Sequence, residues 1–362
     1  MLKIPCVLMR GGTSKGPVIL ASDLPADIAE RDAVLLALMG AGHELEIDGI
    51  GGGAPQTSKV AIVSPSESPD ADVDYLFVQV MVNERRVDTT PNCGNMLSAV
   101  GPFAIEKGLV NAQHPVTTVR IRNLNTGTLV DAEIQTPQGD VSYEGDTHID
   151  GAPGTAAPVG LTFLNSAGCK TGKLLPTGHA SDVIEGVAVT CIDMAMPMVL
   201  IDAASLGKSG GETPAELDGD RPFMARLETI RRQAGAAMGL GDVSGKVIPK
   251  PVLLSKPAAG GTIRARYFMP HNCHKSLAIT GSIGIATATL IEGSVANKIV
   301  APQPGARNNA LTHIEHPGGK ISVSLLKQGD EIEKTRAAVI RTSRKLFEGD
   351  VCVPEYVLSE AI

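Results

Sequence analysis

Apolar positions along this 362-residue chain fall into short runs separated by glycine- and proline-rich turns. Residues 4–9 (IPCVLM), 18–20, 58–63 and 75–82 have the near-continuous apolar character of buried strands. Ile28, Val34, Leu35 and Leu38 fall at helical spacing after an Asp-Leu-Pro start signal, which predicts a helix over 28–39. Strands at 119–121 and 129–134 flank an Asn-Thr-Gly turn, and 149–178 reads as a loop-rich span. The run 187–201 reads as a strand pair kinked at Pro197. Residues 222–238 form an amphipathic pattern with Met224, Leu227, Ile230 and Ala234 on one face. Strands are predicted at 252–254 and 263–268, and 342–357 again carries strand pattern.

Two segments echo each other. In residues 89–110, TTPNCGNMLSAVGPFAIEKGLV, a tight glycine loop leads into a helix-permissive apolar run. Near the far end the loop Thr280-Gly281-Ser282 opens another small-residue helix, which ends in Ile-Glu-Gly-Ser-Val. Gly108 and Gly293 lie 185 residues apart, about half the chain. The economical explanation is a pseudo-duplication into domains 1–183 and 184–341, with 342–362 available to return to the first.

Cys93 stands between Asn92 and the pair Gly94–Asn95, where the first helix should start. Unpaired backbone N–H groups and the positive end of the helix dipole favour a thiolate there and can cradle a carboxylate. The stretch Arg10-Gly11-Gly12-Thr13-Ser14-Lys15-Gly16 brings donors suited to an anion, with glycines that permit close backbone approach; the plainer reading is a solvated hairpin. Lys59 follows a glycine-rich turn and begins an apolar run, so a partly buried amine is expected. Gly49–Ala54 formally matches a dinucleotide fingerprint, but Pro55 and Gln56 stand where a helix should open, and the match is discarded.

Composition narrows the partners. A net charge of −7 and the scarcity of aromatics, with no Trp, argue against nucleic acid and anionic membrane. No run is apolar for long enough to span a bilayer, and the N-terminus lacks a signal-peptide pattern. Six scattered cysteines without a CxxC pair indicate neither a zinc ribbon nor a disulfide framework, so a cytoplasmic protein is expected.

Taken together, RGGTSKG (10–16), GIGGG…TSK (49–59), PNCGN (91–95), DGAPGTAAP (150–158), LLPTG (174–178) and HKSLAITG (274–281) resemble the PrpF-type isomerases, a branch of the diaminopimelate-epimerase-like superfamily. The resemblance runs end to end. It implies an α+β fold of two pseudo-duplicated domains, each a mostly antiparallel sheet wrapped round a central helix, with the active site in the interdomain cleft. It carries a general-base role onto Lys59 and a catalytic cysteine onto Cys93, and it implies neither metal nor other cofactor. A homodimer is compatible with it. In substrate it most resembles the 4-oxalomesaconate tautomerases and isomerases, with similarity to the 2-methylaconitate cis–trans isomerases as the alternative.

The expected activity is therefore proton transfer on an unsaturated tricarboxylate, as keto–enol tautomerisation or an allylic double-bond shift. Arg10, Thr13, Ser14, Lys15, Ser58 and the backbone at Gly94, Asn95 and Met96 are the expected substrate contacts, together with Thr280, Gly281, Ser282 and Ile283. The epimerases of the superfamily place a second cysteine at the second helix start, where this chain reads Thr280-Gly281-Ser282, so a two-thiol racemisation is not expected. Two alternatives stand beside this: a zinc site at His271, Cys273 and His274, at a spacing that fits no finger or protease pattern, and a non-catalytic carboxylate-binding relative. The lone histidines His43, His114, His148 and His179 read as turn or surface residues.

Overall fold

The apolar runs of the first half become strands laid side by side. They are β1 (Leu2–Gly11), β2 (Ser14–Leu20), β3 (Lys59–Pro65), β4 (Val73–Val80), the short β5 (Val87–Asp88), β6 (Val116–Asn123), β7 (Leu129–Gln135) and β8 (Pro158–Leu164). Between them run the helices α1 (Ile28–Met39) and α2 (Gly94–Glu106). The computed structural model describes residues 1–269, 271–300, 309–326 and 331–359. These divide into two units, Met1–Leu161 with Ile340–Ile362, and Thr162–Val339.

The second unit contributes β9 (Asp182–Ile184), β10 (Val187–Asp193), β11 (Pro197–Asp202), β12 (Lys250–Ser255), β13 (Ile263–Tyr267), β14 (Asn309–His316) and β15 (Gly319–Leu326). Its helices are α3 (Pro214–Gly219), α4 (Arg221–Ala237), α5 (Ile279–Thr289) and α6 (Val295–Ile299). Strand β16 (Arg336–Val353) begins in this unit, pairs there with β15, and continues into the first, where it pairs with β1; α7 (Tyr356–Ser359) follows. No described helix is long and apolar enough to cross a membrane.

Strand pairing exposes the duplication. In the first unit β1–β2 is antiparallel, β2–β3 parallel, β3–β4 antiparallel, β4–β6 parallel and β6–β7 antiparallel. In the second, β10–β11, β11–β12, β12–β13, β13–β14 and β14–β15 repeat that alternation in the same order. The result is a mixed α+β fold of large, mostly antiparallel sheets flanked by helices. Helix α2 packs against β1, β2, β3, β4, β6 and β7, and its residues from Met96 to Ala104 are all buried. Helix α5 is buried over its whole length and packs against β10, β11, β14 and β15. Helices apolar on every side belong in the interior, and these two are the centres of their units.

The opposite face of each sheet carries an amphipathic helix. Val34, Leu35, Leu38 and Met39 of α1 bury against Ile19, Val60, Ile62, Val78 and Val80. Leu227, Ile230 and Ala234 of α4 do the same against Val189, Cys191, Val199 and Ile201. Because side chains alternate along a strand, the residues between these point to the α2 side of the first sheet. On β2 those are Ser14, Gly16 and Val18, on β3 Lys59 and Ala61, and on β4 Tyr75, Phe77 and Gln79.

Several local expectations shift. The loop-rich span 149–178 contains β8, a strand hidden by the Gly and Pro residues around it. The strand pair expected over 187–201 is β10 and β11, and Pro197 opens β11 after a three-residue turn, since a proline is tolerated at a strand start. The glycine loop at 49–53, whose dinucleotide match is discarded, folds back on the end of α1, where Gly51 N–H donates to the Met39 carbonyl and Gly53 N–H to Glu46 Oε2 at 2.8 Å.

Candidate active site

The RGGTSKG stretch is a two-residue hairpin, with strand pairing that runs to Gly11↔Ser14 and only Gly12 and Thr13 in the turn. It is not solvated at its working face. Gly12 has φ +53°, and a Cβ there would collide with Asn95 Oδ1. The tip is thus pressed against the first turn of α2, and Asn95 Nδ2 donates to Thr13 Oγ1 at 3.1 Å. One strand over, a Cβ on Gly16 would strike the carbonyl oxygen of Lys59. The glycines let one hairpin touch the neighbourhoods of both Cys93 and Lys59.

Cys93 is the N-cap of α2, in extended backbone geometry with φ −134° and ψ 98°. Its carbonyl accepts the Leu97 N–H at 3.1 Å and the Tyr75 hydroxyl at 3.1 Å. Burial pushes the Tyr75 phenol well above its ordinary range, so it remains a donor. With its backbone fixed, the Cys93 side chain lies 9% exposed, and Sγ is 4.0 Å from Oγ of the buried Ser14. No side chain caps this helix, which leaves the Gly94, Asn95 and Met96 N–H groups as its first-turn donors. Burial pushes the Cys6, Cys191 and Cys273 thiols up to about 11, 12 and 12, and raises Cys169 further. Those four remain neutral thiols in the ordinary pH range.

Lys59 opposes Gln79 across β3 and β4. Its Nζ donates to Gln79 Oε1 at 2.8 Å and stands 4.9 Å from the centre of the Phe77 ring. The Gln79 amide is itself held, because its Nε2 donates to the Ser58 carbonyl at 2.8 Å and the Pro55 carbonyl at 3.2 Å. Tyr75, Phe77 and Gln79 share one face of β4, so a single strand steadies the cysteine at one end and the lysine at the other. Neither Tyr75 nor Gln79 was legible as a site residue, since both are ordinary members of an apolar strand until the register is known.

The remaining expected contacts fall into distinct roles. Arg10 Nη1 bonds to the Gly12 carbonyl at 2.8 Å, the Thr342 carbonyl at 3.1 Å and Thr342 Oγ1 at 3.0 Å, which ties the hairpin to β16. Lys15 is half-buried, and its backbone N–H bonds to the Gln56 carbonyl at 3.0 Å. Ser58 is fully buried, with its hydroxyl on Glu46 Oε1.

In the second unit the helix starts earlier than Thr280–Ser282. Ala278 is the N-cap of α5, so Ile279, Thr280 and Gly281 are its first-turn donors. The Ser282 N–H already bonds to the Ala278 carbonyl at 2.9 Å, its hydroxyl bonds to the Ile279 carbonyl at 2.7 Å, and Ile283 sits deeper still. Gly281 serves packing and not a turn, since a Cβ there would come within 2.5 Å of the Tyr267 ring. Cys93 and Ala278 are 185 residues apart, the same offset as Gly108 and Gly293. The position matching the thiol therefore holds a methyl group.

At the second unit's metal alternative, the Cys273 N–H bonds to Asp218 Oδ1 at 2.6 Å, and the His274 ring accepts the Ser276 N–H at 2.9 Å. Among the described residues no group of three or more His, Cys, Asp or Glu is placed to hold a metal ion.

Duplication also reveals a lysine that the sequence did not single out. Lys250 begins β12 as Lys59 begins β3, and its Nζ lies 4.0 Å from Met269 Sδ where Lys59 meets Gln79. Only 4% exposed, it is pulled down from 10.5 to about 8 by burial, with the charge of Arg231 adding to the effect. Below pH 8 the folded chain must bury a charge that the unfolded chain keeps in water. As pH rises from 8 towards 10.5 the folded amine is already neutral, and this cost fades. Lys250→Met is therefore expected to stabilise the protein at pH 7 by roughly 1–3 kcal/mol, with a gain that shrinks by pH 10. Thermal melts at the two pH values check this; a loss of stability at pH 7 would contradict it.

The fold is thus two like units, each built on a buried central helix, with a thiol at the start of one of those helices and an amine on the adjacent sheet. A probable proline racemase of Agrobacterium radiobacter K84 shares that fold alone, at TM-score 0.55 and 16% identity over 98% of this chain and 95% of that one. The chain belongs to the PrpF family: the family described as PrpF protein matches residues 1–354. It is 61% identical to YbhH of Escherichia coli (strain K12), named as an isomerase without a substrate, over 98% of this chain and all of that one. It is 50% identical to a 4-oxalomesaconate tautomerase of Pseudomonas putida (strain KT2440), over 97% of this chain and 96% of that one. The crystal structure of a methylitaconate-delta-isomerase superposes at TM-score 0.86, with 36% identity over 98% of this chain and 97% of that one. The chain is accordingly an isomerase of the PrpF type.

Proposed function

We propose that this isomerase moves a proton on an unsaturated tricarboxylate of the 4-oxalomesaconate type, with Lys59 and Cys93 as its acid–base pair. The observation that carries the reading is the shared face of β4. Tyr75 fixes the peptide of Cys93 while Gln79 and Phe77 hold the amine of Lys59, so two proton carriers stand on one rigid surface beside uncommitted helix N–H groups. The 50% identity to a named 4-oxalomesaconate tautomerase supports this substrate class.

In the reaction one of the pair takes the proton α to the keto group, the C–H bond electrons become an enolate or dienolate, and the other returns a proton to oxygen or to the distal carbon. No electron is gained or lost overall. First-turn N–H groups at Gly94, Asn95 and Met96 suit a carboxylate, and Thr13, Ser14 and Lys15 suit a second or the keto oxygen. The first-turn groups Ile279, Thr280 and Gly281 of α5 form the equivalent donor set of the second unit. Likeness to the methylitaconate isomerase structure favours a second reading in which the proton returns to carbon and a double bond migrates.

Proton exchange followed by NMR in D₂O tests both. Purified protein is offered 4-oxalomesaconate, 2-methylaconitate and 3-methylitaconate in turn. Deuterium entry or conversion with the first is the expected result. Exchange with one of the others alone moves the substrate to the methyl-substituted acids, and binding without any exchange would leave a carboxylate-binding relative.

A further inference from the structure

Arg341, in the part of β16 that belongs to the first unit, is 9% exposed, and among the described residues it has no ion pair. Its Nη1 donates to the neighbouring Ile340 carbonyl at 3.1 Å, while its Nε is buried without a hydrogen-bond partner. Burial pulls the guanidinium down to about 10 from 12.5. The fully buried Arg231 shows how such a charge is ordinarily satisfied. It has two bonds to Glu228, at 2.6 and 2.7 Å, and three to backbone carbonyls. A buried cation left with idle donors is costly, and an anion is the group that would relieve it.

Strand register shows where Arg341 faces. Ser343 pairs with Gly11, so their side-chain positions project to the same side of the sheet. A Cβ on Gly11 would come within 2.5 Å of the Asn95 carbonyl and 3.1 Å of Met96 Cα. That side therefore fronts the first turn of α2. Arg341 precedes Ser343 by two residues, and strand alternation places it on the same face. In that same turn the N–H groups of Gly94, Asn95 and Met96 have no capping side chain, and Asn95 Oδ1 is a second buried polar atom without a partner.

We propose that Arg341 and the first turn of α2 form one carboxylate subsite, in which the helix N–H groups supply direction and the guanidinium supplies the compensating charge. This rests on the tricarboxylate reading above and names the residue that makes it selective for an anion. It also gives a reason for keeping an unpaired arginine in the interior of the unit.

Tricarballylate, a saturated tricarboxylate with no double bond to shift, is the probe, with calorimetric titration and thermal melts of wild type, Arg341→Met and Arg341→Lys. The wild type is expected to bind it and to melt higher in its presence. Arg341→Met should lose at least about 30-fold in affinity and its ligand-induced stabilisation, yet melt no lower than the wild type when free, with Arg341→Lys in between. With 4-oxalomesaconate the loss should fall mainly on KM, which a purely structural role would not single out. Methionine and lysine variants that bind tricarballylate within threefold of the wild type would overturn the subsite, as would a wild type that does not bind it. Arginine-dependent binding of tricarballylate without turnover of 4-oxalomesaconate would keep the subsite and overturn the proposed substrate.

Discussion

Lys59→Met is expected to lower kcat for proton exchange by about 10³-fold or more while leaving the fold intact. The variant keeps an aliphatic stem that can lie on Phe77, and what it loses is the amine held by Gln79. General acid–base groups typically contribute about 10²–10⁴ in rate, and a single base on a carbon acid belongs towards the upper end. Ser14→Ala is the control. Its hydroxyl touches Cys93 Sγ at 4.0 Å but carries no proton in the proposed reaction, so a loss of about tenfold is expected. Deuterium incorporation at a fixed substrate concentration reads both variants, and equal losses would remove Lys59 from the role of base.

Cys93→Ser should move stability and activity in opposite directions. Helix α2 begins with no side-chain cap, and serine is among the best N-cap residues. A serine hydroxyl at this position can accept the Asn95 or Met96 N–H, which is expected to raise stability by about 0.5–1 kcal/mol. The same bond would occupy a donor otherwise available to a carboxylate, and a hydroxyl is a far poorer proton carrier than a thiol near neutral pH. Exchange should fall by about 10²–10⁴-fold. Cys93→Ala should lose a similar factor without the gain in stability. Melting curves and the exchange assay on the two variants separate the effects, and a Cys93→Ser protein that melts no higher and turns over normally would contradict both. Opposite shifts of this kind would mark the cysteine as a functional residue kept where a capping residue would serve the helix better.

The thiol and the amine were legible because each stands at a local boundary. A glycine loop before an apolar helical run marks Cys93, and the first residue of an apolar strand after a turn marks Lys59. The first-turn donors of the second central helix lie two residues earlier than the sequence suggested. Gly281 looked like a loop residue, whereas its missing side chain lets α5 lie on the Tyr267 ring and the helix starts at Ile279. Arg10 illustrates the converse. It reads as a free anion donor, but one nitrogen bonds to Gly12 within the hairpin and twice to Thr342, on a strand more than 330 residues away in the chain.

By itself the sequence determined what repeats locally: apolar period, turn residues, helix starts, and the 185-residue echo that announces two like units. These follow from backbone geometry and side-chain type within about one turn or one hairpin, so they leave a mark in neighbouring residues. Only the tertiary structure decided which side chains meet. Tyr75 reaches the Cys93 carbonyl because β4 lies beneath the start of α2. Gln79 meets Lys59 because β3 and β4 pair in one register, and Ser343 shares the α2 side with Gly11 because those two residues pair. A one-residue slip would send each of these side chains to the other face of the sheet. Register is set by the packing of the whole sheet on its central helix, and no short stretch of the chain records it.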